Sequence, residues 1–273
     1  MKSLLTYSFT LIIGLFCINQ TTAQNPMKLE TGNGHLSTLE GYMPSKSITK
    51  NGKIAYFSQV SEQKPLYGVF SKKESIHKIY KAEKVKGKWS NITEIKVCPK
   101  YASAKHPTVT ADGKRLFFAS NMRGSFGKYD IYVADINADG SLGVSKNLGP
   151  KVNTKEDELY PNIYNGTLLF FASAGRDGFG GLDLYASQVA YNKLTPSVNL
   201  GSHINSSRDD YAIQLNLEKG ESYVVSNRGE NHIIEQVTVA YRSQSTDDTM
   251  VAYSDEKLKT TLTHQYTSTS FQD

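Results

Sequence analysis

Three groups of residues have types and spacing that could do chemistry. The adjacent carboxylates Asp157-Glu158 and Asp209-Asp210 lie 52 residues apart, and paired acids are what general acid–base catalysis requires. Arg123, Arg176 and Arg228 recur at offsets of 53 and 52, and their guanidinium groups could pair with those acids or meet a ligand. Asp135-Ile136-Asn137-Ala138-Asp139-Gly140 matches the first half of a calcium loop, with Asp135, Asn137 and Asp139 as its ligands. The place where that loop needs a bidentate Glu holds Lys146. Each group also has a plainer reading. The acids stand at equivalent places in successive repeats, which suits capping turns and accepting backbone N–H bonds. The arginines suit pairing with them, and the calcium half-loop is built of good hairpin residues.

Other chemistry is missing. The six His show no metal-ligand spacing, and no Gly-x-Ser-x-Gly elbow supplies a hydrolase nucleophile. A net charge of +5, from 31 basic and 26 acidic residues, is too mild and too evenly spread for a nucleic-acid partner. The reading is therefore a chain that is not an enzyme, with no cofactor and no metal site beyond the weak calcium candidate.

The elements that would position these residues repeat. A turn followed by an apolar strand ending in serine occurs as Asn51-Gly52-Lys53-Ile54-Ala55-Tyr56-Phe57-Ser58 and as Asp112-Gly113-Lys114-Arg115-Leu116-Phe117-Phe118-Ala119-Ser120. It returns as Asn165-Gly166-Thr167-Leu168-Leu169-Phe170-Phe171-Ala172-Ser173 and, decayed, as Lys219-Gly220-Glu221-Ser222-Tyr223-Val224-Val225-Ser226. The closing serines are 62, 53 and 53 residues apart. Asn-Gly and Asp-Gly accept positive φ in tight turns, so each copy is expected to be the second arm of a hairpin. Gly-rich loops follow, leading into Tyr129-Asp130-Ile131-Tyr132-Val133 and Leu182-Asp183-Leu184-Tyr185. The spacers Asn147-Leu148-Gly149 … Asn153 and Asn199-Leu200-Gly201 … Asn205 repeat at an offset of 52.

A period near 50 with about four short strands marks a β-propeller blade. Leu116 and Phe118 alternate with Phe117, and Leu168 and Phe170 with Leu169 and Phe171, which gives two apolar faces to a strand packed between neighbouring blades. The expected fold is all-β, a propeller of about four to five blades of roughly 53 residues. The turn–strand unit, the Gly-rich loop and Asp130-Ile131-Tyr132-Val133 resemble the TolB-type, WD40-like propeller repeat. The spacer Asn147-Leu148-Gly149 … Asn153-Thr154 … Asp157-Glu158 … Pro161 is similar to the form found in Bacteroidetes outer-membrane proteins of the OmpA family. The resemblance covers about residues 42 to 230 and fades at Asn231-His232-Ile233-Ile234; no OmpA-like domain is recognisable.

Residues 1–23 read as a secretory signal: Lys2, an apolar centre from Leu11 to Ile18, and Thr21-Thr22-Ala23 before the expected cleavage. Residues 24–41 then form an N-terminal segment, 42–241 the propeller, and 242–273 a loop followed by a closing strand near 260–267, paired with residues around 36–42. Cys98 is the single cysteine left after cleavage, so no internal disulfide is expected. No later segment is long and apolar enough to span a membrane. The expected role is an exported scaffold, periplasmic, outer-membrane associated or secreted, whose partner is an envelope protein or a glycan. An incomplete propeller could instead form a homodimer. The alternative is a carbohydrate-active propeller of sialidase or glycosidase type, or a glycan binder; the only Trp, Trp89, is out of frame for a sialidase Asp box.

Overall fold

The computed structural model describes residues 22–23, 46–64, 73–216 and 221–240. The leader up to residue 21, the segment 24–41 and the tail from 242, with its expected closing strand, lie outside the described residues. Among those described, the only helical turn is Glu230–His232.

The turn chemistry sets the strand starts. Thr49 and Thr110 hydroxyls donate to Asn51 and Asp112 at 2.8 and 2.6 Å, and the same side-chain oxygens accept from the Lys53 and Lys114 N–H groups. Gly52, Gly113 and Gly166 then take φ of 69°, 71° and 70°, the left-handed region open to glycine. An apolar strand follows each turn, as the Asn-Gly and Asp-Gly spacing predicts.

The described strands form four sheets, the first three of them antiparallel. A two-residue strand, β1 (Thr22–Ala23), comes first. The first sheet is β2 (Ser47–Ile48), β3 (Ile54–Gln63), β4 (Glu74–Val85) and β5 (Lys88–Ile95), in that order. The second is β6 (Ala104–Val109), β7 (Arg115–Ser120), β8 (Asp130–Asp135) and β9 (Lys146–Asn147). The third is β10 (Glu158–Tyr164), β11 (Leu168–Ser173) and β12 (Asp183–Ala190), with β13 (Lys193–Leu194) and β14 (Val198–Asn199) both on β12. The fourth is ordered β1, β17 (Glu235–Ala240), β16 (Glu221–Ser226), β15 (Asp210–Asn216). The described residues thus form an all-β propeller fold of four sheets, one blade each.

Two compact units divide it. One is Gln24–Gln214 with Val224–Val237; the described part of the other is 22–23, 215–216, 221–223 and 238–240, the far portions of the fourth sheet's strands. The residues discussed below lie in the first unit.

β7 is buried on both faces, as its alternation predicts. Leu116 and Phe118 pack with Tyr56, Ile79 and Val109 between the first two sheets. Phe117 packs with Leu169, Phe171 and Tyr185 between the second and third. Side-chain bonds to backbone knit the inner edges, which blunts strands that would otherwise expose unpaired groups. Ser47 accepts from the Val109 N–H at 2.9 Å, and Asn162 donates to the Ile213 carbonyl at 2.9 Å.

Candidate functional site

The β7–β8 and β11–β12 loops and the linkers leading into β6 and β10 gather at one end of these sheets, since Ala104 pairs with Ser120 and Ser120 with Asp130. Most of the repeated polar residues here hold backbone. Asn153 accepts from the Ile131 N–H at 2.8 Å and donates to the Ile131 carbonyl at 3.0 Å; Asn205 does the same to Leu184 at 2.7 and 3.0 Å. An amide thereby completes the strand ladder as a backbone unit would. The Gly-rich loops press on the next linker so closely that a Cβ on Gly127 would overlap the backbone of Lys155, and one on Gly180 that of Arg208.

The acid pairs divide between their two members. Glu158 is fully buried and accepts from the Thr154 N–H and hydroxyl and from the Ser173 hydroxyl, all at 2.7 Å. Burial raises its pKa against the lowering effect of those bonds. Asp210, equally buried, accepts from the Ser206 N–H at 2.6 Å and from Arg228 at 2.5 Å. Asp209 accepts from the Leu182 N–H at 3.0 Å and from Asn227 at 3.1 Å. Asp157 differs: its carboxylate accepts no hydrogen bond among the described residues, and it raises the pKa of Lys105, which burial lowers.

The arginines divide too. Arg176 donates to the carbonyls of Lys151 and Val152 at 3.2 and 2.9 Å, and Arg228 to that of Ile204 as well as to Asp210. Arg123 makes neither hydrogen bond nor ion pair among the described residues and is exposed. The reason lies in the first sheet. Lys78, where the later sheets have Asp130 and Asp183, is buried and its ammonium donates to the carbonyls of Pro99, Lys100 and Ala102 at 3.2, 2.8 and 3.0 Å. The linker carbonyls are already taken.

Arg123 shares its loop with Phe126, 53% exposed, and the matching Phe179 of the next loop is 50% exposed. Beside them the structure assembles residues that the sequence reading did not select. Lys105 lies 4.0 Å from the Tyr129 ring centroid. The His106 ring stacks on Tyr160 at 3.9 Å, and Tyr160 meets Tyr211 edge-on at 5.9 Å. His106 and Tyr160 both take positive φ, 55° and 51°, each just before a proline at a bulge in its inner strand. Bulky residues held there are strained, and such strain concentrates at functional sites. The His106 pKa falls well below 6.5 through burial, then through Lys105 and His77. The recurring His106-Pro107 and Tyr160-Pro161 pairs were the available signal.

The calcium half-loop is a hairpin turn. Asp139 accepts from the Ser141 N–H and hydroxyl at 2.9 and 2.6 Å, Asn137 donates to Ser141, and Asp135 faces Lys146 at 3.8 Å. No cluster of three potential metal ligands occurs among the described residues, nor any helix long and apolar enough to cross a membrane.

No protein-family model matches the chain, and no curated protein matches it. Solved structures do. TolB from Acinetobacter baumannii is 14% identical over 74% of this chain and 43% of its own, with a TM-score of 0.37. A puromycin-hydrolyzing peptidase from Mycobacterium tuberculosis is 13% identical over 67% and 27%, with a TM-score of 0.43. An alpha-L-arabinofuranosidase from Lactobacillus brevis is 14% identical over 73% and 71%, with a TM-score of 0.43. The chain thus spans less than half the length of the first two. These matches correct the expectation that the chain is not an enzyme: peptidases and a glycosidase stand among the similar structures beside TolB, so this fold does not separate binding from catalysis. The likeness is one of propeller fold alone.

Proposed function

We infer that this chain is an exported propeller of the bacterial cell envelope that captures an envelope protein or glycan on the loop end of its second and third sheets. One observation carries the reading: Arg123 alone of the three repeated arginines is released from structural duty, and it shares a loop with the exposed Phe126. Arginine beside an exposed aromatic ring is the composition of an interface anchor. The leader and the spacer's likeness to Bacteroidetes outer-membrane proteins support the location. Arg123→Glu with Phe126→Ser should weaken capture of envelope proteins or glycans at least tenfold at an unchanged melting temperature. Unaltered capture by that variant would remove the loop end from consideration. A carbohydrate-active reading is favoured by Asp157, whose carboxylate accepts no hydrogen bond among the described residues. Glycosidase turnover that disappears in Asp157→Asn would establish it.

A further inference from the structure

The turn end of the sheets, opposite those loops, holds a cleft whose counterpart one repeat later is plugged. Between the second and third sheets, Arg115 is 8% exposed and donates to the carbonyls of Val189 and Gly166 at 3.0 and 2.5 Å. Its guanidinium lies 4.5 Å from the Tyr191 ring centroid. The repeat places Ile54 at the position of Arg115, Gly113 at Gly166 and Ala138 at Tyr191. Ile136 corresponds to Val189, and one bond recurs at both: Ile136 N–H to the Lys114 carbonyl, and Val189 N–H to the Thr167 carbonyl, each 2.7 Å. With isoleucine for arginine and alanine for tyrosine, the plug is gone. A cavity of about 440 Å³ lies there, lined by Ile54, Gly113, Ile136 and Ala138 among others.

Its walls are chemically mixed. Tyr56 lines the cavity and is 2% exposed, and its hydroxyl makes no hydrogen bond among the described residues. Lys50, Lys81 and Asp112 also line it; Lys81 is paired at 3.1 Å with Glu83, Asp112 accepts from the Thr110 hydroxyl and the Lys114 N–H at 2.6 and 3.0 Å, and Lys50 has no ion pair among the described residues. The carbonyls of Gly113 and Ile136 receive no side-chain donor among the described residues. Small-molecule sites occupy roughly 300 to 1,000 Å³ and place a few polar groups on an otherwise apolar wall.

We propose that this cleft binds a small acidic sugar, whose hydroxyls donate to the Gly113 and Ile136 carbonyls while its carboxylate meets Lys50 and Lys81. The apolar face of the ring rests on Ile54 and Ala138, and Tyr56 supplies a hydroxyl. A guanidinium or amine ligand would satisfy the carbonyls, but it would face two ammonium groups against one carboxylate, Asp112, that its own turn already engages. The inference stands apart from the loop-end reading, because the residues involved lie at the other end of the sheets.

The test titrates the purified full chain with glucuronate, and with glucose as the probe lacking a carboxylate. Saturable glucuronate binding is expected, at least tenfold tighter than glucose. It should weaken at least fivefold in Tyr56→Phe, tenfold in Lys81→Gln, and vanish in Ala138→Tyr, which restores the ring of the plugged cleft. Arg123→Glu should leave it unchanged, so failure here is distinguishable from failure at the loop end. Should Ala138→Tyr not fold, the Tyr56→Phe and Lys81→Gln results decide. A glucuronate oligomer binding at least tenfold tighter than the monomer identifies a polymer as the source; equal affinity identifies the free sugar. No saturation by glucuronate, equal affinity for glucose, or unweakened binding in these cleft variants would overturn the proposal.

Discussion

The junction between the first and second sheets and that between the second and third use one repeat and close it differently. In both, a glycine turn leads into an apolar strand and a backbone bond ties the next strand to it. The later junction is sealed at its turn end by Arg115 on Tyr191, the earlier one left open by Ile54 and Ala138. At the loop end, the later linker is held by Arg176 and the Asn153 clasp, the earlier one by Lys78. A repeat fixes the backbone that packs sheets together. The side chains at a few unpacked positions are free to diverge, and there sites arise.

The strongest way to break this comparison is to remove the plug. Arg115→Ala strips two charge-assisted bonds, one from the buried Val189 carbonyl and one from the half-buried Gly166 carbonyl, and removes the guanidinium from the Tyr191 ring. It should cost about 3 kcal/mol in denaturant titration, the range expected for buried bonds to a charged group. A loss under about 1 kcal/mol would mean that the plugged and open junctions are energetically alike.

The propeller was legible because backbone requirements are written locally. Asn-Gly and Asp-Gly turns, two-faced strands and the Asn spacer each dictate one conformation, and they recur in register. The site was not, because its residues are defined by what they fail to contact. Arg123, Arg176 and Arg228 are identical in the repeat; only Lys78, 45 residues upstream of Arg123 and in another sheet, makes Arg123 different. The same holds for Asp157 against Asp209. His106 and Tyr160 escaped notice because left-handed backbone before proline is not a sequence preference but a strain imposed by the bulge.

That strained pair sharpens the comparison through pH. His106 accepts from the Tyr160 N–H across the later junction at 3.3 Å, a bond available only to the neutral ring. Its folded pKa is well below the ordinary 6.5, so the unfolded chain takes up a proton as pH falls through 6.5 while the folded chain does not. The stabilisation is complete above 6.5 and lost below it, with a slope of up to about 1.4 kcal/mol per pH unit. The raised pKa of Glu158 works in the opposite sense, so His106→Asn is the control that isolates the histidine. Denaturant titrations between about pH 6.5 and 5.5 should show the slope in the parent protein and a shallower one in the variant. Identical slopes would mean that the ring is protonated without cost.

Filling the open junction should act the other way. Ile54→Arg with Ala138→Tyr reproduces the plug against the carbonyls of Gly113 and Ile136, and a filled cleft adds about 1 kcal/mol. Lys81 is the obstacle, since it stands where the later junction has Val133, so the gain should grow when Lys81→Val is added. Destabilisation of the triple variant would show that the two junctions differ in backbone as well as in side chains.

The smallest effect is the most discriminating for function. Arg123→Ala removes a side chain with no hydrogen bond among the described residues, and exposed substitutions of that kind stay within about 0.5 kcal/mol. Arg176→Ala, one repeat later, leaves the Lys151 and Val152 carbonyls without their donor and should lower stability measurably. If binding to an envelope partner falls in Arg123→Ala while its melting curve overlays the parent's, the residue is kept for recognition. If both arginines destabilise alike, Arg123 holds backbone as its counterpart does, and none of the three repeated arginines is left for recognition.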